Sequence, residues 1–170
     1  YIKNASEMGK DSPDSRCLPN GPPILYAYPT PYKLVQSAGL LLALSESDGR
    51  FMQIYLDGRA HPVERTPAWA GYSVGQWEGD TLVVDTIGFN DKSWLDASGH
   101  THSDALHLTT RFRRRDFGHM DVEVTIEDPK TFSRPFTVKI PQRLRADTDL
   151  IEYVCNENEK DAAHLNAANR

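Results

Sequence analysis

The sequence GYSVGQWEGDTLVVDTIGFND, residues 71–91, decides the fold. Residues 81–86 are rich in β-branched side chains, and they alternate between an apolar face and a face that carries Asp85. Residues 73–78 have a similar alternation, and Gly79 lies in the short connection between the two segments. Because glycine adopts the positive φ that tight hairpin turns need, the stretch predicts a β-hairpin.

Short segments of the same kind lie on both sides of this hairpin. Residues 33–45 predict a strand, or a pair of strands broken near Gly39, and residues 51–56 predict the returning strand. The remaining predicted strands follow the hairpin and are joined mainly by short turns: residues 106–115, 121–127, 135–144 and 149–155.

Evenly spaced strands with short connections predict an all-β protein. The expected fold is an antiparallel meander barrel or a strongly bent sheet, similar to calycins and lipocalins. A β-sandwich or jelly roll is the runner-up. We expect an extended proline-rich arm over residues 1–32 that wraps outside the domain, without helix. A single β-barrel domain over 33–158 and a polar tail over 159–170 complete the predicted organisation.

Composition restricts the class of protein. The chain has 170 residues, of which 39% are hydrophobic and 25% charged, as expected of one globular domain. Its net charge of −5 argues against a nucleic-acid partner, and no apolar run reaches the ~20 residues that a membrane span needs. The chain begins at Tyr1 without Met, so we expect the natural N-terminus to be missing. Its oligomeric state stays open.

The two cysteines, Cys17 and Cys155, lie near opposite ends of the chain. A disulfide between them would attach the N-terminal arm to the last predicted strand and would indicate an oxidising compartment. Two free buried thiols are the alternative.

Five segments carry a family resemblance: CLPNGPP (17–23), YLDGRAHP (55–62), the hairpin stretch (71–91), HSDALH (102–107) and EDPKTFSRPF (127–136). They resemble a family of uncharacterised bacterial proteins with a GxWEGDTLVVDTxGFND signature, and the resemblance covers most of the chain. Members of that family are typically exported, which implies a periplasmic or extracellular protein. Where members often carry an acidic residue, this chain has Thr110, directly before Arg111.

The loop over residues 91–107 is long, shows no regular spacing of hydrophobic residues and contains many reactive side chains. Long loops without secondary structure are often functional. Its three histidines, His100, His102 and His107, form an H-x-H-x4-H pattern. Three imidazoles with an open fourth position would suit a divalent transition metal, which is the one cofactor that the sequence suggests. Loop histidines in a polar turn are the alternative.

The same loop could instead carry out acid–base chemistry without a metal. His102 or His107, oriented by Asp104 or Asp85, would be a candidate catalytic pair. We expect His102 and His107 to point into one cavity at the mouth of the barrel.

Aromatic residues provide candidates for ligand binding. A pocket for a small molecule could be lined by Trp69, Trp94 and Tyr72, together with Arg111. Arg111 belongs to a basic strand, and the alternative for that strand is a solvent-exposed face. Trp77 is expected in the core.

Three functions therefore stay open. The first is an exported hydrolase or lyase acting on a small organic or sugar-like molecule. The second is a non-catalytic barrel that binds a small ligand, and the third is an interaction module of the cell envelope.

Overall fold

A computed structural model describes residues 12–155 and 157. Over these residues the protein is all-β, and eight strands form one curled, half-barrel sheet in sequence order, which confirms the predicted strongly bent sheet. The strands are β1 (Tyr32–Ser37), β2 (Leu40–Ser45), β3 (Phe51–Tyr55), β4 (Tyr72–Glu78), β5 (Thr81–Ile87), β6 (His107–Arg114), β7 (His119–Glu127) and β8 (Phe136–Arg143). Two 3₁₀ turns, η1 (Pro13–Arg16) and η2 (Ser47–Gly49), and a one-turn helix, α1 (Ile24–Ala27), accompany them.

The predicted hairpin forms as β4 and β5. Their register pairs Tyr72 with Ile87 and Glu78 with Thr81, and Gly79 in the turn has a φ of 62°. The turn at Gly39 between β1 and β2 is left-handed as well, with a φ of 78°. Both turns need a residue without a Cβ to adopt this backbone without strain.

One strand pair departs from the predicted meander. All neighbours are antiparallel except β3 and β4, which are parallel, with Ile54 opposite Ser73. A parallel pair cannot be closed by a tight turn and needs a crossover connection of a dozen or more residues. Residues 56–71 provide it, and we call them the crossover loop.

The core lies on the inner face of the sheet. Leu82 and Val84 of β5 and Val122 and Val124 of β7 are buried there, whereas Asp85 points to the outer face. Burying each such side chain contributes about 1.5–3 kcal/mol.

The proline-rich segment differs from the predicted outer arm. Ile24, Leu25 and Tyr26 of α1 are buried against the inner face, and the Tyr26 ring packs edge-on against Phe112 at 5.2 Å. Helix was not expected here, but a single turn costs little when apolar packing stabilises it. The segment therefore fills the half-barrel instead of wrapping it.

Beyond β8 the chain forms an extended strap over residues 144–155 rather than the predicted last strand. Two polar contacts join it to the domain: Lys33 Nζ lies 2.7 Å from Asp149 Oδ1, and the Ile151 amide donates to Glu46 Oε2. Without ladder bonds to a neighbour it is not a strand. The predicted tail over 159–170 lies outside the described residues.

The strap ends in the disulfide between Cys17 and Cys155, as predicted, with a Cα–Cα distance of 5.7 Å. A small β-rich protein with a disulfide is compatible with export to an oxidising compartment. Across the described ranges, no helix has both the length and the apolar character needed to cross a membrane.

Candidate functional site

A group of titratable side chains on the outer face surrounds Asp85. His61 Nε2 lies 2.6 Å from Asp85 Oδ2, and His107 Nε2 hydrogen-bonds Asp85 Oδ1. The three residues come from separate segments: the crossover loop, the middle of β5 and the start of β6. Asp85 faces Thr109 across the β5–β6 ladder, which places His107 on the same face, one diagonal position away. We call these three residues the Asp85 cluster.

The electrostatics of the cluster fix its hydrogen-bond donors. Partial burial alone would raise the pKa of Asp85, but the hydrogen bonds and charges of His107 and His61 outweigh it and lower the pKa. The carboxylate is therefore ionised at neutral pH and only accepts. Nε2 of each neutral imidazole must carry its proton, which leaves Nδ1 as the basic atom of His107.

The two histidines differ in access. The side chain of His107 is 37% exposed, and its Nδ1 lies 3.8 Å from Glu127 Oε2 on β7. The His61 side chain is only 18% exposed, and its Nδ1 is buried with no partner among the described residues. His107 can therefore exchange a proton with a bound molecule, whereas His61 mainly holds Asp85 in place.

Tyrosines from β3 and β4 support the cluster. The Tyr72 ring packs edge-on against His61 with ring centroids 5.9 Å apart, and it stacks on Tyr55 at 5.2 Å. Arg59 covers the Tyr55 ring at 3.9 Å and is paired with Asp57. Tyr72, a predicted ligand-binding residue, thus lies beside the cluster, although its ring already packs against two protein rings.

His102 and His107 do not share a cavity. His102 is 6% exposed, its Nε2 lies 2.7 Å from Ser93 Oγ, and its Nδ1 lies 2.9 Å from the Ser103 carbonyl oxygen. A turn at Ser103–Leu106, closed by a backbone bond, lies between the two histidines. His107 then enters β6 on the outer face, while Leu106 is buried inside.

The other predicted chemical residues have separate partners. His100 Nδ1 lies 2.5 Å from Asp96 Oδ2, and Asp104 forms an exposed ion pair with Lys130 at 2.6 Å. Within the part of the chain that the structure describes, no three His, Cys, Asp or Glu side chains are grouped so that they could hold a metal ion. The predicted set His100, His102 and His107 is accordingly not assembled.

The predicted ligand-binding aromatic residues lie in different environments. Trp94 is 7% exposed and belongs to the packed interior, and Trp69 is half-buried. Trp77, expected in the core, is instead 52% exposed near the end of β4. Arg111 donates to Glu78 at 2.8 Å, so it acts as part of a cross-strand ion pair.

One buried carboxylate was not predicted. Asp128, 2% exposed, accepts hydrogen bonds from the Ser103 amide and hydroxyl, both at 2.6 Å, and from Thr131 Oγ1 at 2.8 Å. Burial alone would raise its pKa, but these bonds lower it. Asp128 therefore anchors the loop over residues 91–107 to the end of β7.

His61 was also missed, although it lies in residues 55–62, one of the segments on which the expected family resemblance rests. The sequence feature that could have pointed to His61 is the group of reactive side chains in DGRAHP, between two predicted strands. Only the crossover connection, however, brings this loop to Asp85. No protein-family model, no curated protein and no solved structure matches the chain.

Proposed function

We propose that the Asp85 cluster is the catalytic site of a small exported enzyme, a hydrolase or lyase. The observation that carries the proposal is one ionised carboxylate shared by two imidazoles on an open face of the sheet. An imidazole oriented by a carboxylate is the usual arrangement for proton transfer at neutral pH.

In this mechanism His107 Nδ1 is the general base. It takes a proton from a water molecule or from the substrate, and Asp85 stabilises the imidazolium that forms. Glu127 Oε2, 3.8 Å from Nδ1, lies at a distance that a water molecule can bridge, because water can donate to both acceptors. The site would take a small organic or sugar-like molecule, because the face is open and polar rather than enclosed.

His61 and Tyr72 are positioning residues. His61 holds the second oxygen of Asp85, so that the carboxylate cannot turn away from His107. Tyr72 packs against the His61 ring and limits its rotation. Orientation of a base by a fixed second group is a large part of its catalytic effect.

The two alternatives use other parts of the molecule. A ligand-binding barrel would need a cavity on the inner face, where Tyr26, Phe89 and Leu95 are buried. An envelope interaction module would use the outer face over β1–β3, where Val35 and Phe51 are exposed. Neither alternative function requires the Asp85 cluster. Variants of the cluster should therefore abolish catalysis but leave ligand binding or envelope interaction unchanged.

Export is part of the same proposal. The family resemblance and the disulfide between Cys17 and Cys155 both support it. A fusion of the full precursor to a periplasmic reporter enzyme tests it.

The test of catalysis is a screen of chromogenic esters, glycosides and elimination substrates with the purified protein. On any substrate that is turned over, we expect His107→Ala and Asp85→Asn to lower kcat/KM by about 100-fold or more. His119→Ala is the matched control, because His119 forms an exposed pair with Asp116 away from the cluster. Full activity of His107→Ala, or no turnover by the wild type across the panel, would contradict the proposal.

A further inference from the structure

A shallow pocket of about 160 Å³ lies between the strap, η1, η2 and the end of α1. It shares no residue with the Asp85 cluster. Its lining consists of two tyrosines, two carboxylates and two hydroxyl side chains: Tyr28, Tyr153, Asp14, Glu46, Thr30 and Ser47.

The size of this pocket limits its ligand. Pockets for whole drug-sized molecules measure about 300–1,000 Å³. A volume of about 160 Å³ takes one functional group or the end of one side chain.

The lining determines the charge of that group. The carboxylates of Asp14 and Glu46 contribute two negative charges. Arg50, whose Nη2 donates to Ser47 Oγ at 2.9 Å, adds one positive charge beside the lining, so the charge of this group of residues stays negative. Glu46 Oε2 accepts the Ile151 amide, while Oε1 has no hydrogen-bond partner within the described part of the chain. Glu46 is a half-buried residue, and a carboxylate oxygen without a partner at such a position favours a cationic ligand.

Two aromatic rings complete the pocket. Tyr28 is 39% exposed and Tyr153 is 49% exposed, so both rings can be reached from solvent. The rings of tyrosines attract an organic cation through their electron-rich faces. The disulfide fixes this arrangement, because Cys17 directly follows η1 and Cys155 lies two residues after Tyr153.

We infer that the pocket binds an organic cation, an ammonium or guanidinium group, between Tyr28, Tyr153 and Glu46. A free amine and the side chain of a protein partner present the same chemistry. Two rings and one carboxylate of ordinary strength give a dissociation constant of several to tens of millimolar.

The experiment is a chemical-shift titration of the full chain, with intact disulfide, by ¹H–¹⁵N NMR. Choline represents a free amine, and N-acetylargininamide represents a protein side chain. The neutral isostere of choline, 3,3-dimethyl-1-butanol, is the ligand control. We expect shifts at the lining residues, a dissociation constant at least about fivefold lower for a cation than for the isostere, and weaker binding at high salt.

Variants separate charge from folding. Glu46→Gln keeps an oxygen for the Ile151 amide and removes the charge, so we expect about fivefold weaker binding. Glu64→Gln, an exposed change of the same charge, should leave binding unaltered. Equal binding of cation and isostere, an unchanged affinity in Glu46→Gln, or no shifts at about 20 mM of either cation would overturn the inference.

Discussion

His102 and His107 are five residues apart, yet the protein uses them in opposite ways. His102 is buried, and both of its ring nitrogens have partners, Ser93 and Ser103. His107 lies on an open face, and one of its nitrogens binds Asp85 while the other faces Glu127 across 3.8 Å. The buried histidine has no unused proton-transfer atom, whereas the exposed one does.

Two aspartates accompany this contrast. Asp128 is buried beneath the turn after His102 and accepts several hydrogen bonds, while the side chain of Asp85 is 40% exposed and accepts from two imidazoles. The comparison indicates that the His102 region holds the fold together and that the Asp85 cluster is available for chemistry. Loss of stability and loss of activity should therefore separate between the two regions.

The largest expected effect is on stability at Asp128. Asp128→Ala removes the acceptor of the Ser103 and Thr131 bonds and leaves three partly buried donor bonds unmade, so we expect a loss of about 3–5 kcal/mol in the free energy of unfolding. Asp85→Ala, the matched change on the open face, should cost about 1 kcal/mol or less. Urea unfolding of both variants measures the difference. Equal losses in the free energy of unfolding would contradict the contrast between the buried and the open aspartate.

The histidines should show the same order with smaller values. His102→Ala leaves the Ser103 carbonyl and Ser93 hydroxyl without their partner and creates a cavity, which should cost about 2–4 kcal/mol. His107→Ala should stay within about 1 kcal/mol of the wild type, because its side chain is partly solvated. Thermal unfolding by circular dichroism measures both, and a His107→Ala protein as unstable as His102→Ala would assign a structural role to the open cluster.

Acid should weaken the protein through the two aspartates. The pKa of each is lowered in the folded state from its ordinary value of 3.8. Each therefore contributes stability that is fully present above pH of about 4 and is lost as the pH falls through the lower, folded pKa. We expect the free energy of unfolding to decline below this pH, and the decline should be shallower in Asp128→Asn. If the free energy of unfolding of Asp128→Asn declines at low pH as steeply as that of the wild type, the role of the Asp128 carboxylate is contradicted.

The sequence predicted most of the sheet because alternation and turn chemistry are local. Residues 81–86 carry their pattern regardless of what surrounds them, and Gly79 specifies its turn without help from the rest of the chain. The parallel pairing of β3 with β4 could not be seen, because it depends on where a crossover loop returns to the sheet. The buried position of α1 likewise depends on the inner face that it fills.

The residues that form the candidate site were predicted only in part for the same reason. Asp85 and His107 lie at alternating positions of strands, so their common outer face follows from the pattern once β5 and β6 pair. His61 belongs to a loop without regular spacing of hydrophobic residues. Its contact with Asp85 depends on the tertiary structure and not on a local pattern. The expectation for His102 was wrong because the turn at residues 103–106 separates it from His107, although the two residues are close in sequence.

The most direct test of the contrast is a long-range ¹H–¹⁵N NMR measurement of the imidazole tautomers at a pH of about 9, where ordinary histidines are neutral. The hydrogen bonds predict that His61 and His107 carry the proton on Nε2, because Asp85 only accepts. They predict that His102 carries it on Nδ1, because the Ser103 carbonyl only accepts, and that Asp85→Asn alters the tautomer balance of His61 and His107 alone. Nδ1-protonated His107 in the wild type, or a His102 that changes with Asp85→Asn, would contradict the assignment of the Asp85 cluster as the reactive site.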